Sequence, residues 1–164
     1  MKNNIDLDLW PNIDIEGPKD VPLKILREQA EKLSEKTKGL VYGDIATNSN
    51  KGFIFHTLYL VAPNLDNYRY SLLSIAHGVM PFPVFIYNHN LKNKEIIKVK
   101  KTKKYTLPNL MFPFDEYVLS EDSVPEPDLK ALTIEEFISE IKKIFQSDET
   151  KGILQSLISQ SKEN

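Results

Sequence analysis

The chain has 164 residues, 41% of them hydrophobic and 27% charged, the balance of an ordinary globular domain and too apolar for a disordered segment. Its formal charge of −2 offers no general attraction to nucleic acid or anionic lipid, so a polyanionic partner would have to use a local patch. The absence of cysteine excludes a disulfide framework and a thiolate zinc site and fits a reducing compartment, so a soluble cytoplasmic protein is expected.

Residues 1–19 read as an N-terminal arm. Ile5, Leu7 and Leu9 alternate there with Asp6 and Asp8, unlike the basic start and continuous apolar stretch of a secretory signal. The longest mostly apolar runs, 53–62 and 80–87, fall short of the roughly 20 residues that carry a helix across a bilayer, so no membrane association is expected. A first helix is predicted over 21–38. Pro22 suits its first turn, Asp20 can cap it, Leu23, Leu26, Ala30 and Leu33 share one face, and Gly39 ends it.

From residue 40 the apolar period moves toward two. Strands are predicted at 40–46, 53–62, 68–77 and 83–87, separated by Asn-, Gly- and Pro-rich turns, with a fifth at 95–101. The third run is ambiguous, because Leu72, Leu73, Ile75 and Ala76 also fit a short helix. Short connections favour antiparallel neighbours, since a parallel crossover needs a dozen or more residues.

Residues 104–130 form a Pro-rich acidic loop in which Pro108, Pro113, Pro125 and Pro127 interrupt regular structure, apart from a brief strand near 117–119. Beyond it, Thr133 and Glu136 have the spacing of a capping box, with Leu132 placed to staple onto Phe137. Phe137, Ile138, Ile141, Ile144 and Phe145 give that helix a wide apolar face. Ser147, Asp148 and Glu149 then open a second helix bearing Ile153, Leu154, Leu157 and Ile158. The expected fold is a single α+β domain, a mainly antiparallel sheet of about five strands flanked by one N-terminal and two C-terminal helices.

Catalytic signatures are sparse. The chain has three histidines, His56, His77 and His89, without the close two-histidine spacing of a helical zinc site, so no metal is expected. His56 inside an apolar strand reads as a packed core residue before it reads as an acid, base or ligand. Ser71 and Ser74 lie near His77 but lack the glycine-flanked nucleophile elbow, and no glycine-rich phosphate loop is present, so no cofactor is expected.

Two charged stretches are more informative. Seven lysines between Lys92 and Lys104, among them Lys98, Lys100, Lys101, Lys103 and Lys104, oppose Glu95 alone. A lysine-rich strand commonly protects a sheet edge from aggregation and, as an alternative, contacts phosphate; without arginine it lacks bidentate base recognition. Asp115, Glu116, Glu121 and Asp122 lie among Phe114 and Tyr117, where charge can steer a basic partner and aromatic burial can supply affinity.

The reading that fits these features first is a non-catalytic protein-interaction domain, an inhibitor or immunity-type factor whose partner binds at Phe114, Asp115, Glu116, Tyr117, Glu121 and Asp122. A nucleic-acid-associated protein using the 92–104 strand is one alternative. An enzyme with a composite site around His56 or His77, assembled only on folding, is the other.

Overall fold

The computed structural model describes residues 10–15, 21–50, 52–90 and 126–163. Within them the order is α1 (Pro22–Thr37), β1 (Tyr42–Asn50), β2 (Phe53–Ala62), β3 (Tyr68–His77), β4 (Val84–Asn88), β5 (Leu129–Ala131), α2 (Ile134–Phe145) and α3 (Asp148–Glu163). The strands form one antiparallel sheet in the order β1-β2-β3-β4-β5. This is the α+β arrangement expected from the sequence, with one helix before the sheet and two after it.

The fifth described strand is one that the sequence reading did not place. β5 lies at Leu129–Ala131, so strand structure begins before residue 130, where the loop was expected to end. Asp128 prepares that pairing: its backbone N–H donates to Ile86 O at 3.0 Å and its carboxylate accepts from Asn88 N at 2.6 Å. The strands expected at 95–101 and 117–119 lie outside the described residues.

Turn chemistry sets the hairpins. β1 runs further than its predicted end at 46, because Thr47, Asn48, Ser49 and Asn50 continue the ladder until Asn50 faces Phe53. Gly52 then takes φ +81°, a conformation that favours glycine at a tight hairpin. Between β2 and β3 a short 3-10 turn at Pro63–Leu65 ends with Asp66 and Asn67 at φ 55° and 56°, residue types that tolerate the left-handed region.

The helix ends follow their sequence signals with two changes. The N-cap of α1 falls on Val21 rather than Asp20 and makes no side-chain cap bond, while Pro22 holds the first turn as expected. Thr133 Oγ1 accepts from Glu136 N at 3.3 Å, and the Glu136 carboxylate reaches back to Leu132 N at 2.7 Å, one residue earlier than a capping box places it. Leu132 is 56% exposed, so the staple onto Phe137 contributes little burial. Ser147 Oγ caps α3 through Thr150 N.

One sheet face carries the main core. Leu58 and Leu60 from β2, Leu73 and Ile75 from β3, and Val84 and Ile86 from β4 join Leu26, Phe137, Ile141, Ile144 and Leu157 from the helices. The other face holds a second cluster of Phe53, Ala76, Phe85 and Tyr87 with Phe55 packed on it. The alternation of these two sets along β2 and β4 is the period-two pattern of a sheet buried on both faces.

α1 sits close upon β1 because Gly43 has no side chain. A Cβ at this position would lie 2.5 Å from Ala30 Cβ and 2.8 Å from Ala30 Cα, so helix backbone rather than a pliable side chain would have to move. Gly43→Ala is therefore expected to destabilise the fold by about 1–3 kcal/mol. A lowered urea midpoint checks this, and an unchanged midpoint would mean that α1 yields freely.

Candidate functional site

α1 packs against β1 and α2 against β5, the two outer strands of the described sheet. Between α1 and α2, with Thr150 and Leu154 of α3 at its side, a groove of about 430 Å³ remains.

The groove floor is made by Leu58, Leu60 and Leu72, already almost wholly shielded from water. Ile25 and Leu33 line one wall, and Ile138, Ile141 and Phe145 the other. Ile138 is 47% exposed although it belongs to the apolar stripe of α2, because the stripe is wider than the surface that covers it. Among the described residues, the charged side chains lining the groove are all lysines: Lys32 and Lys36 on α1, Lys142 on α2. A second, larger hollow of about 870 Å³ lies on the other side of α3 and is lined in part by Tyr68, Tyr70, Asn90, Asp148 and Glu149. Its Tyr70 is fixed by a 2.8 Å bond to Asn90, which also donates to Thr150 Oγ1 at 2.9 Å.

The histidines are brought together by a bulge. Ala62 pairs with Tyr68 and Tyr59 with Ser71, but Leu58 pairs with Leu73, leaving Leu72 as an extra residue in β3. A one-residue shift turns every later side chain to the opposite face. His77 thus lies opposite Ile54 and shares the core-bearing face with His56 instead of joining Phe53 and Phe55.

The His56 and His77 Nε2 atoms are 3.2 Å apart, His56 Nδ1 lies 2.8 Å from Thr47 Oγ1, and His77 Nδ1 lies 2.7 Å from Gly78 O. A carbonyl only accepts, so His77 Nδ1 carries a hydrogen. With His77 neutral, its Nε2 accepts from His56 Nε2 and His56 Nδ1 accepts from the Thr47 hydroxyl, an assignment made from the partners. All four ring nitrogens are engaged. Burial, followed by the charges of His77 and Arg27, lowers the His56 pKa from 6.5 to about 4. His56 and His77 are 3% and 8% exposed, and neither lines the groove or the larger hollow, so they act as a bonded pair inside the sheet.

Ser74 pairs with His89 rather than His77, at 2.9 Å, and shares a 2.8 Å bond with Thr57; Ser71 takes no part in this chain. Both serine bonds lie on the sheet face opposite the helices. Among the described residues no group of three histidine, aspartate or glutamate side chains converges to hold a metal ion. No described helix is long and apolar enough to cross a membrane.

Phe114, Asp115, Glu116, Tyr117, Glu121 and Asp122 lie outside the described residues, as do Lys98, Lys100, Lys101, Lys103 and Lys104. Asp128, from the same acidic stretch, is described and is structural: its carboxylate binds the end of β4 and, after burial, helps push the Tyr87 hydroxyl up to about 12. The groove itself went unread in the sequence, where the only signal was an apolar stripe on α2 broad enough to include both Ile138 and Phe145. The chain matches no family model, no curated protein and no solved structure.

Proposed function

We propose that this chain is a non-catalytic protein-interaction domain, of the inhibitor or immunity type, that engages another protein through the groove between α1 and α2. The supporting observation is an apolar, lysine-edged groove on the helical face, of the size that receives an anchoring side chain or two from a partner. The buried, mutually bonded His56 and His77 give the enzyme reading little support. The apolar walls also favour protein over nucleic acid, whose affinity is carried chiefly by phosphate contacts. The acidic stretch from Phe114 to Asp122 stays a second, sequence-based candidate for contact with a basic partner.

A pull-down from the native host with the wild type, Ile138→Asp and Val79→Asp tests this reading. Val79 is 90% exposed in the turn before β4 and serves as a control apart from the groove. A partner captured by wild type and Val79→Asp is expected to be lost by Ile138→Asp, with circular dichroism confirming that all three fold. Equal capture by Ile138→Asp would remove the groove from the interface.

A further inference from the structure

β1 is an edge of the described sheet and carries none of the features that close an edge. It runs for nine residues in unbroken register with β2, and it contains no lysine, arginine, proline or bulge. The opposite edge, β5, is three residues long and is protected by its shortness. Ala46 to Asn50 are all exposed.

The direction of each backbone group in β1 follows from one hydrogen bond. His89 N donates to Leu72 O at 3.1 Å, so Leu72, Ser74 and Ala76 turn their backbone groups toward β4. Leu73, Ile75 and His77 then face β2, where their partners are Leu58, His56 and Ile54. The residues between these, Phe55 and Thr57, therefore face β1 and pair with Asn48 and Ala46. Gly43, Ile45, Thr47 and Ser49 are left turning their N–H and C=O groups away from the sheet, and no described residue pairs with them there.

A row of free backbone groups on a straight strand is completed by another strand, and this row is complementary to itself. When two copies meet antiparallel with Ala46 on the two-fold axis, Gly43 bonds to Ser49 of the second copy and Ile45 to Thr47, so all four residues of each copy are satisfied. Any other antiparallel register leaves at least one of them without a partner in the row. The side chains agree with this register. Ile45 and Thr47 form a β-branched cross-strand pair, and Asp44, already held by Arg69 at 2.6 Å, falls opposite Asn48 rather than opposite a second Asp44. α1 crosses β1 at Gly43, against Ala30 at the middle of the helix. The two copies of α1 therefore cross at opposite ends of the joined strands, roughly 20 Å apart along them.

We propose that two copies of this chain join through β1 in this register, making one continuous sheet across the two-fold axis. The proposal stands apart from the groove and does not depend on it.

Sedimentation equilibrium at rising concentration tests it, since the small area of a strand pair makes such a dimer concentration-dependent. The mass is expected to double. Ala46→Lys and Ala46→Glu each set like charges against one another on the axis and should stay monomeric, while a mixture of the two should restore the doubled mass. Circular dichroism checks that each variant folds. Because the chain has no cysteine, a single introduced one reports the register. The two Ala46 Cα atoms would stand about 4.5 Å apart at a non-hydrogen-bonded position, within disulfide reach, so Ala46→Cys should cross-link between copies under mild oxidation. Asn50→Cys should not, because its two sites lie roughly 27 Å apart along the strands. A monomeric mass at every concentration would overturn the proposal. So would a dimer that survives both charge variants, or equal cross-linking of the two cysteine variants.

Discussion

Phe137→Ala is expected to lower the unfolding free energy by about 3–5 kcal/mol, the cost of emptying a fully buried aromatic site that cannot collapse around the loss. Phe137 is 0% exposed and is the largest of the fully buried side chains. It sits in the first turns of α2, just after the Thr133 cap, and joins Val84, Ile86 and Ala131 in the main core. Its removal loosens the attachment of α2 to the outer part of the sheet as well as opening a cavity. For a domain whose net stability is typically about 5–15 kcal/mol this is a large fraction, and the melting temperature should fall by roughly 6–20 °C. Urea unfolding checks it, with a lower midpoint and an unchanged slope. Phe137→Leu should cost much less because it keeps most of the volume. An unchanged midpoint in Phe137→Ala would remove this residue from the core.

Much of this fold could be read in the chain because local signals and tertiary packing agree. Strand β2 begins and ends at the residues its turn signals mark, since Gly52 and Pro63 stand directly at its boundaries. The ambiguity of β3 has a structural cause. Leu72 and Leu73 both enter the core at the bulge, so the period-two pattern breaks there and resembles a helical face. The same extra residue decides the candidate chemistry, because it turns His77 to the side occupied by His56. A bulge leaves no sequence signature here beyond two adjacent leucines, so residues 21 positions apart could not be paired in advance. The groove was illegible for another reason. It is a property of where α1 and α2 stand on the sheet, fixed by the close approach of Ala30 to Gly43 at one edge and by the three-residue strand β5 at the other. The periodicity of α2 identified its apolar stripe correctly but could not say that Ile138 would face open space and Ile141 the core.

Acid is expected to weaken the fold by up to about 3 kcal/mol through His56 alone, since each pKa unit of difference between folded and unfolded forms corresponds to about 1.4 kcal/mol. The folded pKa is lowered to about 4 from 6.5, by burial first and then by His77 and Arg27. The sign follows directly. Between these values the unfolded chain binds a proton that the folded protein refuses, so protonation favours unfolding. The full contribution of His56 is present above pH 6.5, falls as the pH drops toward 4, and changes little below that. Thr47 can rotate its hydroxyl and accept from a protonated His56 Nδ1, so the penalty lies in burying the charge rather than in losing a partner. Urea midpoints between pH 4 and 7 should therefore fall in wild type and show a flatter dependence in His56→Gln, which keeps a donor and an acceptor but does not titrate. The same slope in both proteins would assign the acid sensitivity to other groups, and an NMR titration placing His56 near 6.5 would show that its ring does not hold the neutral, buried arrangement.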